Sequence, residues 1–170
     1  LYAGVESWFK RINAYGAERG IIVEHYIISS GLKEMIEGTA IAGEFKKIYA
    51  SAFMYDDDGV PEWCAQTINY TNKTQFLFRI EKGCPDINDH AGVNEYIPPE
   101  RLRVPLRNFV YIGDSDTDIP CMKLVNSSGG HSIGVYDESG GKEKVYRLIK
   151  NNRIRFFAPA DYTEGSVMDG

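Results

Sequence analysis

The tightest constraint on this chain is the run Phe109-Val110-Tyr111-Ile112-Gly113-Asp114-Ser115-Asp116-Thr117-Asp118-Ile119-Pro120. Phe109 to Ile112 make a short apolar stretch suited to a strand buried on both faces. Gly113 permits a turn that a Cβ would crowd, and Asp114 lands at the strand's carboxyl end. In an open α/β sheet that edge is where ligands bind. Asp118-Ile119-Pro120 reads as a helix start, with Asp118 as N-cap and Pro120 inside the first turn. Asp114, Asp116 and Asp118 therefore crowd into five residues at a strand-to-helix corner. Carboxylates that close repel unless a cation or hydrogen-bond donors offset them. A hard divalent ion such as Mg²⁺ does so, taking a few carboxylates plus waters and phosphate oxygens. The same residues have ordinary readings, Asp118 as a helix cap and Asp116 as a solvated loop residue. Asp114 is the stronger ligand candidate, because capping alone requires neither the buried strand nor the glycine before it.

The rest of the chain supplies the elements such a corner needs. Val5, Trp8, Phe9, Ile12 and Tyr15 recur at helical spacing, and Gly20 closes that helix. Val23 to Ile28 is a strand candidate that runs into the small polar turn Ser29-Ser30-Gly31 and then a helix over about Leu32 to Glu37. Strand, polar turn, helix aims backbone N–H groups and a hydroxyl at an anion, although Ser30 as an N-cap and Gly31 as a turn residue explain the same letters. Residues 48 to 70 read as a β-hairpin with Asp56-Asp57-Asp58-Gly59 at its tip, the triple aspartate fitting a solvated loop tip better than a metal site. A helix follows from Thr71 or Asn72 to Ile80, with Lys73 in its first turn. The macrodipole disfavours a cation there, so Lys73 is either a tolerated surface residue or one that faces an anion. Residues 81 to 108 show no clear periodicity and read as a connection with at most a short helix near Pro99 to Leu102. Beyond the aspartate corner come a helix over Pro120 to Val125, a strand over Ser132 to Tyr136, a helix over Glu143 to Asn151 and a strand over Ile154 to Ala158. This alternation predicts an α/β fold: a Rossmann-like, doubly wound, mostly parallel sheet carrying a β-hairpin insertion.

Composition excludes more than it selects. With 43% hydrophobic and 25% charged residues in 170, the chain has the makeup of one soluble domain. A net charge of −5 argues against nucleic acid as main partner, and no apolar run approaches a membrane span. Cys64, Cys84 and Cys121 are widely spaced and odd in number, so a reducing cytoplasm is the expected setting. His25, His90 and His131 are scattered singles, read as structural or surface residues.

Taken in order, a serine after one strand, a lysine opening a later helix and Gly-Asp-Ser-Asp-Thr-Asp ending a further strand resemble the haloacid dehalogenase superfamily, specifically its phosphoserine-phosphatase-like branch. The likeness covers nearly the whole chain. Ile27-Ile28-Ser29-Ser30-Gly31 is similar to the family's second motif, which implies that Ser29 and the amides near Ser30 and Gly31 bind phosphate. Ser30 stands where this branch often has glycine. Lys73 resembles the third-motif lysine, and Gly113 through Asp118 the acidic fourth motif, in which Asp114 binds Mg²⁺ and Asp118 supports the metal site. The resemblance implies a Mg²⁺-dependent phosphatase that hydrolyses a small phosphorylated substrate through an aspartyl-phosphate intermediate, with Lys73, Ser29 and Asp114 in catalytic roles. The first motif, a strand ending in Asp-x-Asp that supplies nucleophile and general acid/base, has no counterpart: Asp56-Asp57-Asp58 follows the second motif and sits in a hairpin. One core domain over residues 1–170, with the first motif and helical cap upstream and a truncated C-terminus, is therefore expected. A catalytically inactive phosphate-binding module or a receiver-like signalling domain is the alternative. Neither the phosphomonoester nor the oligomeric state is legible.

Overall fold

The computed structural model describes residues 1–137, 142–151 and 153–170. It forms two compact units, Leu1–Asn69 together with Asp161–Gly170, and Tyr70–Ala160.

In the first unit, helix α1 (Val5–Ala17) turns its apolar stripe inward and buries Phe9. The chain's last ten residues are tied to this helix. Trp8 Nε1 donates to the Met168 carbonyl at 3.2 Å, and Arg11 donates to Asp169 Oδ1 at 2.6 Å and to the Tyr162 carbonyl at 2.5 Å. Strand β1 (His25–Leu32) runs parallel to β2 (Phe45–Tyr55), with helix α2 (Lys33–Glu37) between them in sequence. β2 then reverses into β3 (Pro61–Gln66), giving the sheet order β1-β2-β3. The expected hairpin is present, and its tip is closed by two observable devices. Gly59 takes φ +79°, and Asp56 Oδ1 accepts from the N–H groups of Asp58 and Val60.

One expectation in this unit is corrected. Ser29-Ser30-Gly31 is not a turn after a strand that ends at Ile28; the strand continues to Leu32 and helix α2 begins at Lys33. Ile28 pairs with Tyr49 and Leu32 with Ser51, so four steps along β1 match two along β2, and residues 29–31 bulge from the ladder. The buried Ser51 holds the bulge to the sheet, its hydroxyl donating to the Ser30 carbonyl at 3.2 Å and accepting from Ile68 N–H at 3.0 Å. Sequence spacing gave no sign of that cross-strand hydroxyl.

In the second unit, β4 (Val110–Gly113), β5 (His131–Tyr136) and β6 (Phe156–Pro159) form an all-parallel sheet in the order β4-β5-β6. Parallel neighbours need crossover connections, and helices α5 (Ile119–Ser127) and α6 (Lys142–Lys150) provide them. Met122, Val145 and Ile154 form the buried centre, with Tyr111, Tyr136 and Leu148 packed against it. The last strand starts at Phe156 rather than at Ile154, because Ile154 is drawn into this centre. Together the elements make the mixed α/β, Rossmann-like pattern with parallel strands that the alternation predicted.

Helix α3 (Thr74–Lys82) opens the second unit, with Lys73 itself, not Thr71 or Asn72, at the N-cap position. The connection after it holds a helix that periodicity did not reveal, α4 (His90–Asn94), and 3-10 turns at Pro99–Arg101 and Leu106–Asn108. Its order comes from polar anchors. The buried Arg79 guanidinium donates to the carbonyls of Asp86 at 2.6 Å, Ile87 at 2.9 Å and Asp89 at 3.1 Å. Lys82 Nζ donates to the carbonyls of Val93 and Glu95, at the end of α4. Among the described residues no helix is long and apolar enough to cross a membrane.

The first unit carries a pH dependence of its own. His25 lies edge-on to Phe9 at 4.8 Å, with Nε2 2.8 Å from Asn13 Oδ1. Burial lowers its pKa from the ordinary 6.5, against an opposing pull from Glu44. The unfolded chain therefore binds a proton on this residue at a higher pH than the folded one does. The stability His25 contributes is complete above 6.5 and falls as pH drops through 6.5 towards the lower folded pKa. Melting temperatures at pH 7.5 and 5.5 should show a drop that is smaller in His25→Phe than in the wild type; equal drops would remove His25 as the source.

Candidate functional site

The aspartate corner is built on a strand end that cannot carry a side chain. A Cβ placed on Gly113 would lie 2.8 Å from the Asp118 Cβ and Cγ and 2.8 Å from Met122 Cε. The missing methyl is what lets Asp118 fold back beneath the end of β4. Asp116–Asp118 then form a 3-10 turn that leads into α5. Ser115 and Asp118 close a reciprocal capping box, in which the Ser115 side chain accepts from the Asp118 N–H and the Asp118 side chain accepts from the Ser115 N–H.

Asp118 does occupy the N-cap position of α5, but its side chain makes no capping bond to that helix. It is buried and faces Lys73, whose Nζ donates to Oδ1 at 2.7 Å. The N-cap position is the one read from the sequence, but the side chain turns to Lys73 instead: a buried ammonium needs a counter-charge more than a helix start needs one further acceptor. Tyr111 also donates to Oδ1, at 2.8 Å. Oδ2 accepts from Ser115 Oγ at 2.8 Å and from Ser115 N–H at 3.2 Å. Thr117 Oγ1 lies 2.6 Å from Ser115 Oγ, whose one proton goes to Asp118, so Thr117 is the donor between the two hydroxyls. Each oxygen of Asp118 thus has two protein donors.

The electrostatics follow from this packing. Burial pushes the Asp118 carboxyl up, but the bond and charge of Lys73 and the hydroxyls of Tyr111 and Ser115 outweigh it, and the group stays below its ordinary value. Burial raises the Tyr111 phenol well above its ordinary range and pushes the adjacent Cys121 thiol up to about 11. Cys121 is therefore a protonated wall of the site at neutral pH, unsuited to attack as a nucleophile.

Asp114 and Asp116 stand exposed at the carboxyl end of β4. Among the described residues no three or more His, Cys, Asp or Glu side chains are grouped to hold a metal ion. The donor set here is one of hard carboxylate oxygens, with Asp118 already engaged by protein donors. It fits an ion such as Mg²⁺, which takes one or two carboxylates and fills its shell with water and phosphate oxygens, and it does not fit a closed all-protein cage.

Lys73, Asp114 and Asp118 thus share the second unit, the lysine and Asp118 in direct contact. Ser29, Ser30 and Gly31 belong to the first. There the Ser29 hydroxyl oxygen accepts from the Gly31 N–H at 3.0 Å, which leaves its own proton to donate outward. Sequence reasoning missed Tyr111, Ser115, Cys121 and Ser51.

Breaking the buried pair from one side leaves the other charge stranded. Lys73→Met or Asp118→Leu alone should each destabilise by about 3–5 kcal/mol, and the double variant should lose clearly less than the two together. Asp114→Asn, at an exposed position, should barely move the midpoint. Denaturant titration of all four reads this out, and strictly additive losses would contradict the pairing.

Comparison with known proteins adds two findings. A family model described as haloacid dehalogenase-like hydrolase matches residues 3–123. An uncharacterized protein of Borreliella burgdorferi is 27% identical over 163 residues, an alignment covering 86% of this chain and 55% of that protein. The chain spans about half the length of the curated relative it matches.

Proposed function

Since this chain belongs to the haloacid dehalogenase-like hydrolase family, we propose that it forms part of a Mg²⁺-dependent cytoplasmic phosphatase acting on a small phosphomonoester. The observation that carries the reading is the Lys73–Asp118 pair, buried in the turn region that Asp114 opens directly after the parallel strand β4. A lysine is rarely enclosed this way without a task, and a group transfer that gathers negative charge gives it one.

In this reading Asp114 holds the ion and Asp118 supports the site by fixing Lys73. The bound ion supplies positive charge against the phosphoryl oxygens and the approaching carboxylate. Lys73 directs one ammonium proton at Asp118 and another at the phosphoryl group, where charge builds in the transition state. Ser29 donates its hydroxyl proton to a phosphoryl oxygen, strengthened by the N–H that Gly31 gives to its oxygen, and the Ser30 amide adds a second donor.

The attacking carboxylate lies in a segment of the whole protein outside these residues. Three facts support that part of the proposal. The strand that leads into Asp56-Asp57-Asp58 turns back as a hairpin, and Asp56 spends an oxygen on the turn itself. Among the described residues β1 and β4 each pair on one side only within their sheets. The chain also covers 55% of its relative. The chemistry is then attack of that carboxylate on phosphorus, departure of the alcohol, and hydrolysis of the resulting aspartyl phosphate.

Two measurements on the whole protein test this. Asp114→Asn should abolish Mg²⁺-dependent release of phosphate from an aryl phosphate; near-normal turnover at ordinary Mg²⁺ would remove Asp114 from the site. Borohydride reduction during turnover, followed by peptide mass spectrometry, should mark a carboxylate outside residues 1–170. A label on any aspartate within them would overturn the external nucleophile.

A further inference from the structure

The two oxygens of Asp118 are held from different places. Oδ2 is bonded only within its own turn, by the N–H and hydroxyl of Ser115 three residues earlier. Oδ1 is the oxygen that meets Lys73, which lies 45 residues away in sequence at the start of α3. The turn that holds Oδ2 is half-buried at Ser115 and Thr117 and exposed at Asp116. Tyr111 is differently placed. Its ring packs against the buried Met122, Val145 and Ile154, and its hydroxyl meets Oδ1 at 2.8 Å. The phenol thus ties Oδ1 to the buried centre of the second unit and shares that oxygen with the ammonium.

We infer that Tyr111 is a positioning residue for Lys73: through Asp118 Oδ1 it holds the ammonium where charge develops on the transferring phosphoryl group. Its effect on turnover rests on the phosphatase reading; its effect on Lys73 does not. Transition-state charge is sensitive to small displacements of the group that offsets it. Loss of a hydrogen bond to a charged acceptor should therefore appear in kcat while leaving KM nearly untouched, because the substrate's ground-state contacts stay in place.

The test uses the whole protein, Tyr111→Phe, and Tyr146→Phe as a matched control on the exposed side of α6. Two quantities are read: steady-state constants with an aryl phosphate, and the Lys73 ammonium resonance in a ¹⁵N correlation spectrum, assigned by its disappearance in Lys73→Arg. Tyr111→Phe should lower kcat roughly tenfold with KM within about twofold, and should broaden or shift the ammonium resonance. Tyr146→Phe should change neither. An unchanged ammonium resonance in Tyr111→Phe overturns the inference, whether kcat falls or not. If the wild type turns over no phosphomonoester, the phosphatase reading fails, and the resonance still decides the positioning. Should Tyr111→Phe not fold, the wild type decides: a slowly exchanging Tyr111 hydroxyl proton in Overhauser contact with the Lys73 ammonium supports the inference, and its absence overturns it.

Discussion

A lysine and an aspartate removed from water together form the constraint around which the second unit is arranged. Each charge alone would be costly to bury, and their mutual attraction offsets that cost only with good geometry and with the remaining lone pairs satisfied. Each condition has a visible consequence. Gly113 lacks a side chain so that Asp118 can reach inward, Ser115 fills one carboxylate oxygen, and Tyr111 shares the other with Lys73. The start of α3, the end of β4 and the entry to α5 are fixed by one carboxylate.

What the sequence made legible was whatever is local in the chain. The hairpin tip could be read because a positive-φ glycine and an aspartate that caps its own turn lie within five residues. The corner at Gly113-Asp114 could be read because an apolar run, a glycine and an acid in succession leave few alternatives. The parallel α/β pattern followed from alternation alone. Two of the readings that failed turned on partners distant in sequence. Asp118 has the letters of a cap, and only a lysine far upstream gives it another role. Residues 29–31 have the letters of a turn, and only the hydroxyl of Ser51 keeps them in the sheet.

The same distinction explains which parts of the site could be named in advance. Lys73 and Asp114 could be singled out because each violates a local preference, a cation against a helix dipole and an acid at a strand end. Tyr111 and Cys121 violate nothing: an aromatic residue in a strand and a small apolar-like residue in a helix are ordinary occupants. Their importance comes from what meets them in space. A sequence reveals residues that are awkward where they stand, and conceals those that are comfortable but well placed.

The Arg79 clamp has a consequence for how the chain comes together. Its guanidinium reaches carbonyls only seven to ten residues further on. Closing so short a loop takes little chain entropy and little time. The connection after α3 can thus be gathered onto the helix as soon as the helix exists, ahead of any strand pairing over longer separations. A stretch without hydrophobic periodicity of its own then folds as part of its neighbour's cooperative unit. A residue inserted between Asp86 and Asp89 would dissolve that unit, whereas one added at the solvated Asp57-Asp58 tip would pass almost unnoticed.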